Sequence, residues 1–212
     1  MPSGEVDTSA AVSAIIDAGP LSSAISCDIA CAWLMPCTLA PAYGTRRRVL
    51  RALLVLLFAR LARVCVRPKG KTLYVPKMLD KERGIMDFLQ IFGEDDLRTL
   101  PSGQWGIREP HQELDGVRRP SALSGSAEPL DVIVMPGMAF DRSLSRLGYG
   151  KGFYDRFLSS YAATLQGRQQ ARPRLVALAL REQILEAGQV PVGETDWKVD
   201  VIIGPDGVVA PC

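Results

Sequence analysis

Histidine is almost missing from this chain: one residue, His111, in 212. A catalytic triad built on imidazole, or a metal site built on paired histidines, would have to pass through that single side chain. It sits in a polar stretch with no serine, aspartate or cysteine partner at a telling spacing, so no role is assigned to it. Cysteine is also sparse, five in all. Cys27, Cys31, Cys37 and Cys65 fall in one segment without a CxxC pair, and Cys212 is terminal. That spacing supports neither a disulfide framework nor a zinc site, and it fits reduced thiols in a reducing compartment. An excess of one charge is absent too: 25 Lys and Arg against 23 Asp and Glu leave a net +2. A broad nucleic-acid face is therefore not expected, and the one basic cluster, Arg46, Arg47 and Arg48, reads as a solvated helix start. Long uncharged apolar runs are lacking as well. The most apolar stretch, 49–66, is interrupted by Arg51, Arg60 and Arg63, and its uncharged core at 52–59 falls far short of the ~20 residues a membrane span needs. It reads as a basic amphipathic helix, buried or surface-lying, and no membrane partner is expected. The first residues carry Glu5 and Asp7 and no arginine, unlike a signal or transit peptide. The expected compartment is the cytoplasm.

What is present is organised unevenly. Asp7 or Thr8 can cap a helix that ends at Gly19-Pro20. Residues 21–68 then change character, rich in Ala, Leu, Cys and Arg and broken by Pro36, Pro41 and Gly44. Regular pattern returns with strands over 71–76 and 87–91, followed by a polar, turn-rich stretch around Glu94, Asp95 and Asp96 and an exposed loop over 112–128. From there the order becomes strand (130–135), helix (153–165), strand (174–180), a short helix (182–187) and closing strands over 199–203 and 208–209. The run LDVIVM is apolar at nearly every position, as in a strand buried on both faces. Alternating elements of this kind predict an α/β fold, a mainly parallel central sheet flanked by helices in one domain, with ligands bound beyond the carboxyl ends of strands.

The loop at such an end, 136–152, finishes in a dense glycine cluster holding one lysine: Gly148, Gly150, Lys151, Gly152. Glycines let backbone N–H groups approach an anion, the helix that follows adds partial positive charge, and Lys151 adds a full one. The pattern suits phosphate. It is neither a Walker loop nor a dinucleotide fingerprint, since it lies well past the strand and no acid follows at the required distance. A flexible surface loop remains the plain alternative. Asp155 in the first helical turn and Asp196 further on could hold Mg²⁺ beside phosphates, or serve only as capping and surface groups. Trp105, Phe153 and Tyr154 offer planar faces that either stack a heterocycle or pack in the core.

The residues MPG.AFD....RLGYGKGFYDRF, with WGIREP upstream and ETDWKVD downstream, resemble the 5-formyltetrahydrofolate cyclo-ligase (methenyltetrahydrofolate synthetase) family; GEVDTSA and GKTLYVPKM resemble its earlier segments. The resemblance covers residues 1–19 and about 70–209. It implies an ATP- and Mg²⁺-dependent closure of 5-formyltetrahydrofolate, in polyglutamylated form or not, to 5,10-methenyltetrahydrofolate with release of ADP and phosphate, by a monomer. It further implies Lys151 and Arg146 as catalytic cations and Asp155 and Asp196 as metal-binding acids. ATP contacts would come from Arg146, Leu147, Gly148, Tyr149, Gly150, Lys151, Gly152, Phe153 and Tyr154. Folate contacts would come from Glu5, Trp105, Gly150, Lys151, Gly152, Phe153 and Tyr154. Two departures stand out. Tyr149 occupies a position where many members carry arginine. Members also begin with a basic helix and a strand ahead of the GEVDT segment, and they lack a counterpart of residues 20–68. The expectation is an incomplete ATP pocket with weak ATP affinity and poor solubility, residues 20–69 forming an atypical insertion. A non-catalytic protein that sequesters 5-formyltetrahydrofolate is the rival reading, and a nucleotide-binding oxidoreductase is disfavoured by the missing acid.

Overall fold

The computed structural model describes residues 24–26, 71–101, 108–125 and 127–209, the first group as backbone only. Its centre is a seven-stranded sheet. In chain order the strands are β1 (Ala24–Ser26), β2 (Thr72–Asp80), β3 (Ile85–Ile91), β6 (Val132–Met135), β9 (Arg174–Leu178), β11 (Val201–Gly204) and β12 (Gly207–Val208). They lie side by side in the order β12-β11-β9-β6-β1-β2-β3. The four inner pairings, from β11 to β2, are parallel, and the two outermost, β11 with β12 and β2 with β3, are antiparallel. The molecule is thus mixed α/β around a mainly parallel sheet. Part of the segment 20–69 supplies one of the inner strands.

Period-two alternation explains the core. In β6 all four residues are buried. Ile133 and Met135 join one apolar cluster, while Val132 and Val134 join the other. The same split separates Tyr74 from Leu73 and Val75, Leu175 and Ala177 from Val176, and Ile202 from Ile203. The first face is covered by the helix α2 (Phe153–Gln166), whose Phe157, Leu158, Tyr161 and Leu165 recur at helical spacing and are buried. Phe157 meets Phe88 edge-on at 4.6 Å and stacks on Tyr161 at 5.4 Å. The Tyr161 hydroxyl accepts the Leu130 N–H at 2.7 Å and so fixes the helix to the chain leading into β6.

Several sequence expectations change. The polar stretch near residue 94 is the first turn of a helix, α1 (Glu94–Thr99), where three acids face the positive helix end. Residues 112–128 are not simply an exposed loop. They hold a hairpin, β4 (Glu113–Leu114) with β5 (Val117–Arg118), and the next residue, Arg119, is buried against Asp96 at 2.6 Å. Residues 136–152 contain β7 (Ala139–Asp141) and β8 (Arg146–Leu147), paired antiparallel. The helix expected over 182–187 is a single 3-10 turn, Arg181–Gln183, running into β10 (Ile184–Leu185), which pairs in parallel with β7. Gln183 accounts for the difference. Its amide nitrogen donates to the Gly137 and Met138 carbonyls and its oxygen accepts the Leu180 N–H, so the side chain anchors the turn to the loop after β6. The helices expected near 8–18 and 49–66 lie outside the described residues. Among the described residues no helix is long and apolar enough to cross a membrane.

Candidate functional site

Strand succession in the sheet reverses between β1 and β6: the chain runs outward through β2 and β3 on one side and through β9, β11 and β12 on the other. A crevice at the carboxyl ends of strands flanking such a reversal is where open α/β sheets bind ligands. A cavity of about 700 Å³ includes Pro136, the first residue after β6, in its wall. That volume lies within the usual range of small-molecule sites.

The glycine cluster and the start of α2 form one wall. Gly152 caps the helix in the left-handed region (φ 63°), and Gly150 is left-handed as well (φ 77°). A side chain at either position would strain the turn. No side chain caps α2, and its first bond runs from Arg156 N–H to the Gly152 carbonyl. The N–H groups of Phe153, Tyr154 and Asp155 therefore have no acceptor within the helix. Gly148 has a different reason to be glycine, because a Cβ there would lie 3.0 Å from the Arg146 guanidinium.

Every expected site residue from Arg146 to Asp155 lines this cavity, and so does Asp196. Glu5 and Trp105 lie outside the described residues. The cations differ sharply in state. Arg146, its side chain only 5 % exposed, donates from Nη2 to both Asp155 oxygens at 2.8 Å and from Nη1 to the Pro136 carbonyl at 3.3 Å. Its guanidinium also sits 5.8 Å from the centre of the Tyr154 ring, and Nε is buried without an acceptor. Lys151 is exposed and has no ion pair among the described residues. Arg156 donates to the Lys151 carbonyl at 2.5 Å and braces the turn that carries it. Tyr154 is largely a core residue, edge-on to Phe88 at 6.4 Å, and only part of it reaches the cavity.

The acids retain capacity for a cation. Asp155 Oδ1 accepts from Arg146 and from the Trp197 N–H at 3.1 Å, but among the described residues Oδ2 accepts from Arg146 alone. Asp196 Oδ2 accepts the Gly193 N–H at 2.7 Å, and Oδ1 accepts nothing among the described residues. Among the described residues no group of three or more metal-type ligands occurs. Two carboxylates are nonetheless enough for Mg²⁺, which takes its remaining ligands from water and phosphate.

Sequence reasoning overlooked Glu109, Met78 and Lys81 on another wall, and Pro191, Val192, Gly193 and Thr195 beside Asp196. Glu109 was visible only as part of the WGIREP motif. It also overlooked Asp141, which is fully buried and holds the surrounding turn together. Asp141 Oδ1 accepts the Ser143 N–H and hydroxyl and the Ser145 N–H, while Oδ2 accepts the Val190 N–H. Burial pushes this carboxyl up, but the hydrogen bonds from Ser143, Val190 and Ser145 outweigh it and hold the group at about 2.

Residues 61–205 match the model of the 5-formyltetrahydrofolate cyclo-ligase family. The chain is 33 % identical over 142 residues to a probable 5-formyltetrahydrofolate cyclo-ligase of Schizosaccharomyces pombe, covering 66 % of this chain and 65 % of that one. It is 39 % identical over 140 residues to the mitochondrial 5-formyltetrahydrofolate cyclo-ligase of Arabidopsis thaliana, covering 66 % and 49 % respectively. It thus spans about half to two-thirds of these relatives' length. A solved 5,10-methenyltetrahydrofolate synthetase of Mycoplasma pneumoniae aligns over 92 % of this chain and 81 % of its own at 16 % identity, with a TM-score of 0.47, too loose a likeness to carry an argument. On the strength of the family match over most of its length, this chain belongs to the 5-formyltetrahydrofolate cyclo-ligase family.

Proposed function

We propose that this protein closes 5-formyltetrahydrofolate to 5,10-methenyltetrahydrofolate at the expense of ATP. The formyl oxygen attacks the γ-phosphorus, the bond to the β-phosphate oxygen breaks, and ADP leaves. N10 then attacks the activated formyl carbon, the carbon–oxygen bond breaks, phosphate departs, and the N10 proton is lost. Phosphoryl transfer asks a protein mainly for positioning and charge neutralisation. The observation that carries the reading is the glycine turn at the start of α2, opening on a cavity with the exposed ammonium of Lys151, which has no ion pair among the described residues, beside it. Backbone N–H groups from Gly148 to Gly152 would receive the phosphates, and Lys151 would neutralise charge developing on the transferred group. Arg146, committed to Asp155, would act first by orienting that carboxylate. Asp155 and Asp196 would hold Mg²⁺, which when bound neutralises phosphate charge. Glu5, Trp105, Phe153 and Tyr154 would contact folate, and the chain would act as a cytoplasmic monomer in which helices flank the sheet.

The test is product absorbance with and without ATP. ATP-dependent formation of the methenyl product is expected, falling about 100-fold or more in Lys151→Ala. Full turnover by that variant, or none by the parent with folate binding intact, would defeat the reading. The second outcome would favour sequestration of 5-formyltetrahydrofolate instead.

A further inference from the structure

Among the described residues, Glu109 is the one acid of the cavity wall that the phosphate chemistry does not use. It follows α1 in the chain, its N–H donating to the Pro101 carbonyl, and its side chain is only 14 % exposed. Lys77, from β2, donates to Oε2 at 3.2 Å, while Oε1 accepts nothing among the described residues. Neighbouring Met78 and Lys81 line the same wall.

The chemistry narrows the ligand. The Lys77 ammonium already balances the carboxylate's charge, so the site is not built to capture a further cation. The lone pairs that remain want neutral N–H donors. An ionised phosphate, itself only an acceptor, has no such donor to offer. Of the two substrates in the proposed reaction, adenine offers one amino donor next to a ring acceptor. The pyrimidine edge of a reduced pterin offers two adjacent donors, the ring N3–H and the 2-amino group, which a carboxylate can accept in parallel, as it does from a guanidinium fork. A partly buried site that bonds such an edge rejects analogues lacking it, because its own polar atoms are then left unpaired.

We infer that Glu109, held by Lys77, binds the 2-amino-4-oxo pyrimidine edge of the folate and orients its ring system. This rests on the function proposed above. Calorimetric titration with 5-formyltetrahydrofolate in the absence of ATP separates the two claims. The parent chain binds; Glu109→Gln, which turns amide donors toward the ligand's donors, weakens binding roughly tenfold to a hundredfold, and the KM for ATP does not move. An analogue with methyl in place of the 2-amino group binds the parent about tenfold less tightly. Glu109→Gln no longer distinguishes the two ligands. Folate affinity unchanged in Glu109→Gln, or a raised KM for ATP with folate binding intact, would overturn the inference. If that variant melts below the assay temperature, Glu109→Asp decides: withdrawing the carboxylate by one methylene weakens folate alone, and full affinity would sink the idea. A parent chain that binds no folate at all removes the proposed function, and this inference with it.

Discussion

Asp155 answers to two positive partners. In the structure its carboxylate is gripped by Arg146 and by the Trp197 N–H; in the proposed reaction it shares a divalent cation with Asp196. The two acids should therefore separate in experiment. Asp155→Ala leaves the buried Arg146 guanidinium without a counter-charge, a loss of about 3–5 kcal/mol. Asp196→Ala removes a single exposed bond from the Gly193 N–H, worth about 1 kcal/mol. Urea titration measures both, and equal stabilities would show that the Arg146–Asp155 pair carries no structural weight. Magnesium titration of activity should show a raised requirement in either variant. In sequence Arg146 and Lys151 look like equivalent cations five residues apart. Which of them is committed depends on where a helix turn places Asp155, and no spacing rule contains that.

At the scale of elements, the site depends on a small sheet that the sequence shows only as a loop. The β7–β8 turn launches Arg146, and the segment after Val190 forms another wall of the cavity. Asp141 ties them together. Its carboxyl sits at about 2 in the folded protein against an ordinary 3.8. Because the folded value is the lower one, the stabilisation is fully present above pH 4 and is lost as pH falls toward 2. The difference corresponds to about 2 kcal/mol. Asp141→Asn should lower stability near neutrality by at least that amount and flatten the acid limb of the stability curve between pH 4 and 2. A variant curve parallel to that of the parent would contradict this. The pattern-based helix over 182–187 fails for a related reason: Gln183 spends its side chain on the carbonyls of Gly137 and Met138, 46 and 45 residues away, and the backbone follows that anchor.

For the whole molecule, the cavity walls come from β2, the segment at Glu109, the β8 turn, the start of α2, residues 191–193 and the pair Thr195 and Asp196, elements scattered over more than a hundred positions. A ligand touching all of them binds the folded chain and not the unfolded one. At a hundredfold excess over its Kd, 5-formyltetrahydrofolate should add about 2.7 kcal/mol to unfolding, and the gain should grow with the logarithm of ligand concentration. A urea midpoint indifferent to folate would mean that these walls do not close on it. Much of this scale was legible beforehand. The apolar runs that become β6, β9 and β11, the amphipathic spacing of α2 and the glycine cluster between strand and helix already specify an α/β site at a strand end.

The chain's own pattern determined the elements and the glycine turn, because backbone periodicity and glycine's freedom are local properties written in neighbouring residues. Tertiary structure alone decided the partners: Arg146 with Asp155, Lys77 with Glu109, Asp141 with Val190. These contacts join positions 9 to 49 residues apart. Packing brings such groups together, and their hydrogen bonds then fix which charge is bound within the protein and which is left to meet a substrate.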